Sequence, residues 1–331
     1  MKRLDHYWYG NHPLTLVLTP LSWLYCGLAV ARRAAYRRGI LKVRRLPVPV
    51  IVVGNLTAGG TGKTPLVAWL AQFLKQSGYS PGIVSRGYHG RARHWPQQVR
   101  ADSDPVAVGD EAVVLARHCA CPIAVGPDRV AAVRALLEHH ACDVIVSDDG
   151  LQHYALGRDV EIAVIDGVRR FGNGRCLPAG PLREPVSRLR SVDLVVVNGL
   201  AGHGEYAMRL SGEQAHNLKD EQRTRHLKEF AGQQVHAVAG IGHPARFVDL
   251  LRRFGVRAIE HAFPDHHLFE PEDFSFDDGL PVLMTEKDAV KCQRFAADNH
   301  WYVPVTAQPD ARTGERLLAM LEPLRGAAPA G

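Results

Sequence analysis

Val48-Pro49-Val50-Ile51-Val52-Val53, then Gly59-Gly60-Thr61-Gly62-Lys63-Thr64, then the amphipathic stretch Pro65 to Ser77 read as a buried strand, a glycine-rich turn and a helix, the order of a phosphate-binding loop. Glycines let several backbone N–H groups turn toward one anion, and the new helix presents its positive end to the same place. Lys63 adds a charge, and the Thr64 hydroxyl is a ligand for Mg²⁺. Pro65 suits the first helical turn, where its missing N–H costs little. The usual pattern carries glycine five positions before Gly62, but Thr57 stands there and Ala58 follows, so GGTGKT is a shortened glycine arrangement. The motif points to a triphosphate held by Gly59, Gly60, Thr61, Gly62, Lys63, Thr64 and Pro65, and leaves the reaction open.

Beyond this loop, strand and helix patterns alternate. Gly82 to Ser85, Pro122 to Val125, Asp143 to Ser147, Val160 to Ile165 and Asp193 to Val197 read as strands, and Gly109 to His118 and Asp128 to His140 as helices. That alternation predicts an α/β fold, a P-loop NTPase-like parallel sheet flanked by helices, with ligands at the carboxyl ends of its strands. Between Gly199 and Gly232 the chain turns polar and loses its period. A second α/β stretch follows, with Val235 to Ala239, a helix from Pro244 to Phe254, Val282 to Thr285, Tyr302 to Val305 and a helix from Thr313 to Leu324. The expected organisation is an N-terminal amphipathic, basic segment (1–45), a phosphate-loop domain (46–199), a linker (200–233) and a smaller α/β domain (234–331), with a frayed tail at 326–331.

The bulk composition is that of an ordered globular chain: 331 residues, 46% hydrophobic and 22% charged. Its six cysteines form no CxxC pair and no zinc-like spacing, as expected of reduced thiols. The net charge of +6 conceals an asymmetry, because no Asp or Glu occurs from His6 to Ala101. Residues 1–101 carry 15 Lys and Arg against the single acid Asp5, a charge of +14, while the remainder is −8 from 25 basic and 33 acidic residues. A basic first third implies an anionic partner.

Residues 13–31 carry no charge and precede Arg32, Arg33, Arg37, Arg38, Lys42, Arg44 and Arg45. Leu14, Leu18, Leu21, Leu24 or Tyr25, and Leu28 recur at helical spacing, while Thr15, Thr19 and Ser22 break the opposite side. An apolar stripe with Trp23 and Tyr25 beside a polybasic run predicts a helix lying in an anionic membrane surface. A full span needs about 20 strongly apolar residues, and Pro20 interrupts this one. Ala29-Val30-Ala31 resembles a signal-peptide cleavage site, but the basic run beyond it opposes export. The remaining reading is an apolar helix packed on the protein itself. Basic residues clustered beside an apolar helix argue against nucleic acid as the partner, and no obligate protein partner is evident.

Several strand-end loops carry chemistry. Asp148-Asp149 closes an apolar strand, where a phosphate-loop enzyme holds Mg²⁺ directly or through water. His153 follows in the same loop, either facing the crevice or structural. Asp110-Glu111 opens a helix, where acids complement the macrodipole and where one of them is also suited to accept a hydroxyl proton. Arg183-Glu184, in the rigid loop from Pro178, offers a phosphate contact and a metal-shell carboxylate. Asp265-His266-His267 lacks further ligands at zinc spacing, so an Asp-His pair orienting a base, or a surface loop, fits better. Thr285-Glu286-Lys287-Asp288 is another strand-end loop whose charges are suited to pairing with each other.

Taken in order, GNLTAGGTGKTP (54–65), SRGY (85–88), GDE (109–111), DDGLQH (148–153), PAGPLRE (178–184), DHH (265–267) and TEKD (285–288) strongly resemble the tetraacyldisaccharide 4'-kinase family of lipid A biosynthesis. The resemblance runs along most of the chain, and Leu151 stands where an aromatic is frequent. It implies ATP- and Mg²⁺-dependent phosphorylation of the 4'-hydroxyl of a lipid A disaccharide precursor, at the cytoplasmic face of a bacterial inner membrane. By matching motif, Asp110 would be the catalytic carboxylate and His266 its partner, while Lys63 would hold the β- and γ-phosphates. Thr64, Asp148, Asp149 and Glu184 would form the Mg²⁺ environment. Ser85, Arg86, Gly87, Tyr88, Arg129, His153 and Arg183 would face the substrate. The contrasting class is a membrane-attached ATPase or GTPase switch, which would share the loop and the helix but need no acceptor base.

Overall fold

The computed structural model describes residues 7–10 and 12–325, so the tail expected to fray and the first six residues of the basic segment lie outside the described residues. In chain order the strands are β1 (Val50–Gly54), β2 (Pro81–Ser85), β3 (Gln97–Val99), β4 (Ile123–Val125), β5 (Val144–Asp148), β6 (Val160–Asp166), β7 (Leu194–Asn198) and β8 (Tyr206–Ser211). They continue as β9 (Gln214–Asn217), β10 (Thr224–His226), β11 (Gln234–Ala239), β12 (Arg257–Ala262), β13 (Val282–Thr285), β14 (His300–Val303) and β15 (Thr306–Pro309). The helices are α1 (Pro13–Val17), α2 (Thr19–Arg37), α3 (Lys63–Gln76), α4 (Pro105–Val108), α5 (Asp110–His118), α6 (Arg129–His139), α7 (Pro244–Arg253), α8 (Glu286–Cys292) and α9 (Ala311–Leu321).

β1 pairs in parallel with β5 on one side and β6 on the other, in registers that set Val50 opposite Ile145 and Ile51 opposite Val160. A strand with neighbours at both edges and helices on both faces has no solvent side, so its residues form a continuous apolar run. Alternation still sorts them: Ile51 and Val53 join the core with α3, α5 and α9, while Val50 and Val52 join the core with α6. The full order is β15-β8-β7-β6-β1-β5-β2-β4-β3, parallel from β8 to β4 and antiparallel at both edges. The second sheet runs β10-β9-β14-β13-β11-β12, with parallel pairing among β14, β13, β11 and β12. α7 covers one of its faces and α8 the other.

Two segments differ from the sequence expectation. Within 200–233, β8 extends the first sheet while β9 and β10 belong to the second. β8 buries only Met208 fully, and a strand so thinly buried shows no alternation to read. Residues 306–321, expected in the C-terminal unit, return to the first sheet. β15 pairs antiparallel with β8, and Leu317 and Leu321 of α9 enter the core shared with α3. Gly314 allows that approach, because a Cβ there would stand 2.6 Å from the Phe73 ring.

α1 and α2 sit with their polar side inward. Thr15 and Ser22 are buried, Ser22 Oγ donates to the Cys176 carbonyl at 2.6 Å, and Arg175 Nη1 donates to the Thr15 carbonyl at 3.0 Å. The apolar side is left to solvent: Leu16, Val17, Leu21, Trp23, Leu24 and Leu28 are exposed, Trp23 at 72%. Among the described residues, no helix is long and apolar enough to cross a membrane.

Candidate active site

At the end of β1 the chain turns through Gly59 and Gly62, with φ of 99° and 95°, and enters α3 at Lys63. These are left-handed conformations that favour glycine. Thr57 needs no such freedom. It bridges Leu182 as an extended residue, where a β-branched side chain is at ease, and the next N–H, of Ala58, donates to the Pro181 carbonyl at 2.7 Å. Lys63 Nζ lies 3.2 Å from Asn55 Oδ1 and 3.7 Å from Asp149 Oδ1. The Gly60 carbonyl accepts from Arg169 Nη2, and Thr61 Oγ1 is buried without a partner.

β5 delivers Asp148 to the same place. It is fully buried, and neither carboxylate oxygen has a hydrogen-bond partner. Burial, then the nearby charge of Glu111, pushes its carboxyl up to about 7, against the pull of Lys63. Asp149, with φ of 47°, turns the other way and accepts from Arg183 Nη1 at 3.0 Å on each oxygen. Burial opposes its ionisation, but Lys63 and Arg183 prevail and hold its carboxyl at about 2. Two orphaned, buried carboxylate oxygens beside a phosphate loop, with Thr64 in the first turn of α3, suit a hard cation such as Mg²⁺. Among the described residues no group of three or more His, Cys, Asp or Glu forms a metal cage.

Glu184 is directed elsewhere, contrary to the expectation that it joins the metal environment. Its carboxylate is buried against the Tyr154 hydroxyl, Gln152 Nε2 at 3.1 Å and Arg188 Nε at 3.9 Å. Two hydrogen bonds and the nearby guanidinium turn it away from the phosphate loop, so it braces the loop behind the site.

The second sheet supplies the opposite wall. His266 Nδ1 lies 2.9 and 3.1 Å from the two oxygens of Asp110, the first residue of α5. Burial disfavours charge on both groups, yet the shared hydrogen bond holds the Asp110 carboxyl at about 2 and raises His266 above its ordinary value. Asp110 is therefore ionised and can only accept, so His266 Nδ1–H donates. Gly109, at φ 93°, admits the chain here, since a Cβ would meet the Tyr88 carbonyl at 2.7 Å. Glu111 receives Lys287 of α8 and His118 meets Glu286, so two charges of TEKD pair with α5, while Asp288 pairs with Lys291 inside α8. Burial opposes the charge of Glu111 and of Lys287, but their attraction lowers the first and raises the second. His266 itself has φ of 59°, a strained backbone of the kind that collects at functional sites.

Between the walls lies a cleft of about 1360 Å³ that reaches from Tyr25 and Arg32 of α2, past the phosphate loop and Pro65, to His266 and Lys287. Ser85, Arg86, Tyr88, Arg129, His153 and Arg183 all line it. Gly87, with φ of 65°, lets the loop pass Trp95, whose ring would meet a Cβ at 2.9 Å. Arg86 lies 5.9 Å over the Tyr88 ring, and Tyr88 stands edge-on to His266 at 5.4 Å. Arg129 is buried with Nε unpartnered, and burial draws its guanidinium down to about 10. His153 Nε2 is likewise unpartnered, and burial, then Arg129, pulls its imidazole down to about 4. A neutral imidazole and an underbonded guanidinium facing one cleft form a polar receptor for an oxygen-rich ligand.

Sequence reasoning missed Asn55, which hid as one polar residue after a strand, and the Asp166 hub. Asp166 ends β6 and binds Arg169 Nε at 3.0 Å and, from α7 of the second sheet, Arg246 Nη2 at 2.7 Å. An acid after an apolar strand was the available signal.

A family model described as tetraacyldisaccharide-1-P 4'-kinase matches residues 14–322. The tetraacyldisaccharide 4'-kinase of Nitrosococcus oceani is 58% identical over 316 residues, covering 96% of this chain and 93% of that one. The enzyme of the same name from Alkalilimnicola ehrlichii is 52% identical over 324 residues, 97% of each chain. Among solved structures, LpxK from Aquifex aeolicus, crystallised in complex with ATP, matches with a TM-score of 0.77 at 28% identity, covering 93% of this chain and 99% of that one. With its phosphate loop, its strand-end acids and these matches over nearly its whole length, the chain belongs to the tetraacyldisaccharide 4'-kinase family.

Proposed function

We propose that this protein transfers the γ-phosphoryl group of ATP to the 4'-hydroxyl of a tetraacyldisaccharide 1-phosphate, giving the 1,4'-bisphosphate, with Mg²⁺ as cofactor. The observation that carries the acceptor half is the Asp110–His266 pair, buried opposite the phosphate loop and joined from two sheets. Mg²⁺, when bound, would neutralise phosphate charge, and Asp148 with Thr64 are the residues suited to hold it. Lys63 and Arg183 present cations to the phosphates. Asp110 orients His266 and stabilises its protonated form, and the pair together takes the proton released by the hydroxyl. Arg86, Tyr88, Arg129 and His153 hold the sugar and its phosphate. We take the two sheets as two units that close on the cleft, with 306–321 belonging to the first.

The same reading puts the enzyme on the cytoplasmic face of the inner membrane through α1 and α2. The inward polar contacts of Thr15, Thr19 and Ser22 leave the apolar side free for lipid, which disfavours an apolar helix packed on the protein. Tyr25 and Arg32 on the same helix border the cleft, so a lipid head group reaches the site without leaving the bilayer.

Purified protein, labelled ATP and tetraacyldisaccharide 1-phosphate in mixed micelles should yield labelled bisphosphate. Brisk ATP hydrolysis with no label on lipid would overturn the kinase reading in favour of a switch.

A further inference from the structure

Asn55 is fully buried, directly after β1. Its Nδ2 donates to the Thr57 carbonyl at 2.7 Å and to the Gly59 carbonyl at 3.2 Å, and its Oδ1 accepts from Lys63 Nζ at 3.2 Å. Chemistry dictates the orientation of this amide. Carbonyls only accept and an ammonium only donates, so the NH₂ must face the loop and the oxygen must face the lysine. One side chain therefore satisfies two inward loop carbonyls and aims the charge that meets the phosphates. Behind it, the Asn55 carbonyl accepts from Gln152 Nε2 at 3.1 Å, and the same nitrogen donates to Glu184 Oε2 at 3.1 Å. The carbonyl of Gln152 is held in turn by Arg32 Nη1 of α2, at 3.1 Å.

We propose that Asn55 is a positioning residue for phosphoryl transfer, which holds the shortened phosphate loop in its bent form and aims Lys63, and which Gln152 and Glu184 brace from behind. This deepens the reading of the loop as the ATP site and rests on it. The departure of the loop from the usual glycine pattern gives the device its purpose. With Thr57 extended against Leu182, the turn begins at Gly59, whose carbonyl Asn55 holds. A lysine displaced by about 1 Å loses on the order of a hundredfold in rate, so a brace on its ammonium acts on chemistry as well as on binding.

The test is a double-mutant cycle on the full chain. Affinity for a non-hydrolysable ATP analogue is measured by calorimetry, and kcat and KM for ATP are measured in mixed micelles. Asn55→Ala should weaken analogue binding about tenfold and lower kcat/KM about a hundredfold. Added to Lys63→Ala, it should cost clearly less than it does in the wild-type background, the remainder being the two loop bonds that do not pass through the lysine. Asn55→Asp guards against misfolding: it keeps the size and the acceptor but loses both donated bonds. It should raise KM for ATP about tenfold, while a single cooperative thermal transition, lowered by the two loop carbonyls left without a donor, shows that the variant folds. Independent, multiplicative losses in the cycle overturn the proposal, as does wild-type affinity in Asn55→Asp. If the wild-type enzyme binds ATP but phosphorylates no lipid, the kinase reading fails, and analogue affinity still decides the role of Asn55.

Discussion

His266 Nδ1 stands 2.9 Å from Asp110 Oδ2, although one residue follows a strand of the second sheet and the other begins a helix on the first. The Asp110 carboxyl is held at about 2, so its own titration lies below the working range, and His266 is raised above 6.5. With Mg²⁺ saturating, so that Asp148 stays ionised, the rising limb of kcat/KM against pH should therefore lie above 6.5 and belong to His266. Asp110→Ala should cost on the order of 10²–10⁴ in turnover with ATP affinity nearly unchanged. Intact turnover in Asp110→Ala, or a limb unmoved in His266→Gln, would sink the assignment. Linkage gives the same pair a stability signature. The contribution of His266 is complete below about 6.5 and fades as pH rises through its raised value, while that of Asp110 is lost only as pH falls from 3.8 through about 2.

Asp148 carries the opposite sign. Its carboxyl is raised from 3.8 to about 7, so the ligand-free protein should lose stability as pH rises across that interval, because the unfolded chain ionises first. Protons and Mg²⁺ should compete for it, weakening Mg²⁺ binding below about pH 7. Asp148→Asn should stabilise the ligand-free fold at pH 8 by about 1–3 kcal/mol and abolish Mg²⁺-dependent thermal protection in the presence of ATP. Retained protection would remove Asp148 from the metal environment.

The Lys287–Glu111 pair ties α8 to α5 across the cleft. Lys287→Met should destabilise the fold by about 2 kcal/mol in urea denaturation by leaving Glu111 unpaired. It should also move the onset of Mg²⁺ binding to higher pH, since Lys287 helps keep Asp148 ionisable. Lys287→Arg should restore most of both; equal denaturation midpoints for wild type and Lys287→Met would show the bridge to be idle.

For the anchor, Trp23→Ser with Leu24→Ser removes two exposed apolar side chains while leaving Thr15, Thr19 and Ser22 in their inward contacts. Each side chain is worth about 1.5–3 kcal/mol on transfer from water, so co-sedimentation with phosphatidylglycerol vesicles should fall by at least about a hundredfold, with an unchanged melting curve. Equal sedimentation of mutant and wild type would rule out this face as the lipid contact.

What the sequence determined by itself is local. The run from Val50 to Val53, the glycines at 59 and 62 and the lysine that opens α3 encode strand, turn and helix through period and backbone freedom, and each was read within a residue or two. The strand-end acids were legible for the same reason. Which of these residues meet is set by the folded arrangement. Asp110 and His266 are 156 residues apart, Lys287 chose Glu111 over its own neighbours, and Glu184 turned to Tyr154 and Gln152 instead of the metal environment. The inward polar side of α2 was equally hidden, because a helical period shows two faces without saying which one the protein covers. Periodicity and turn chemistry act over a few residues, whereas these pairings depend on strand order, register and the packing of one sheet against another.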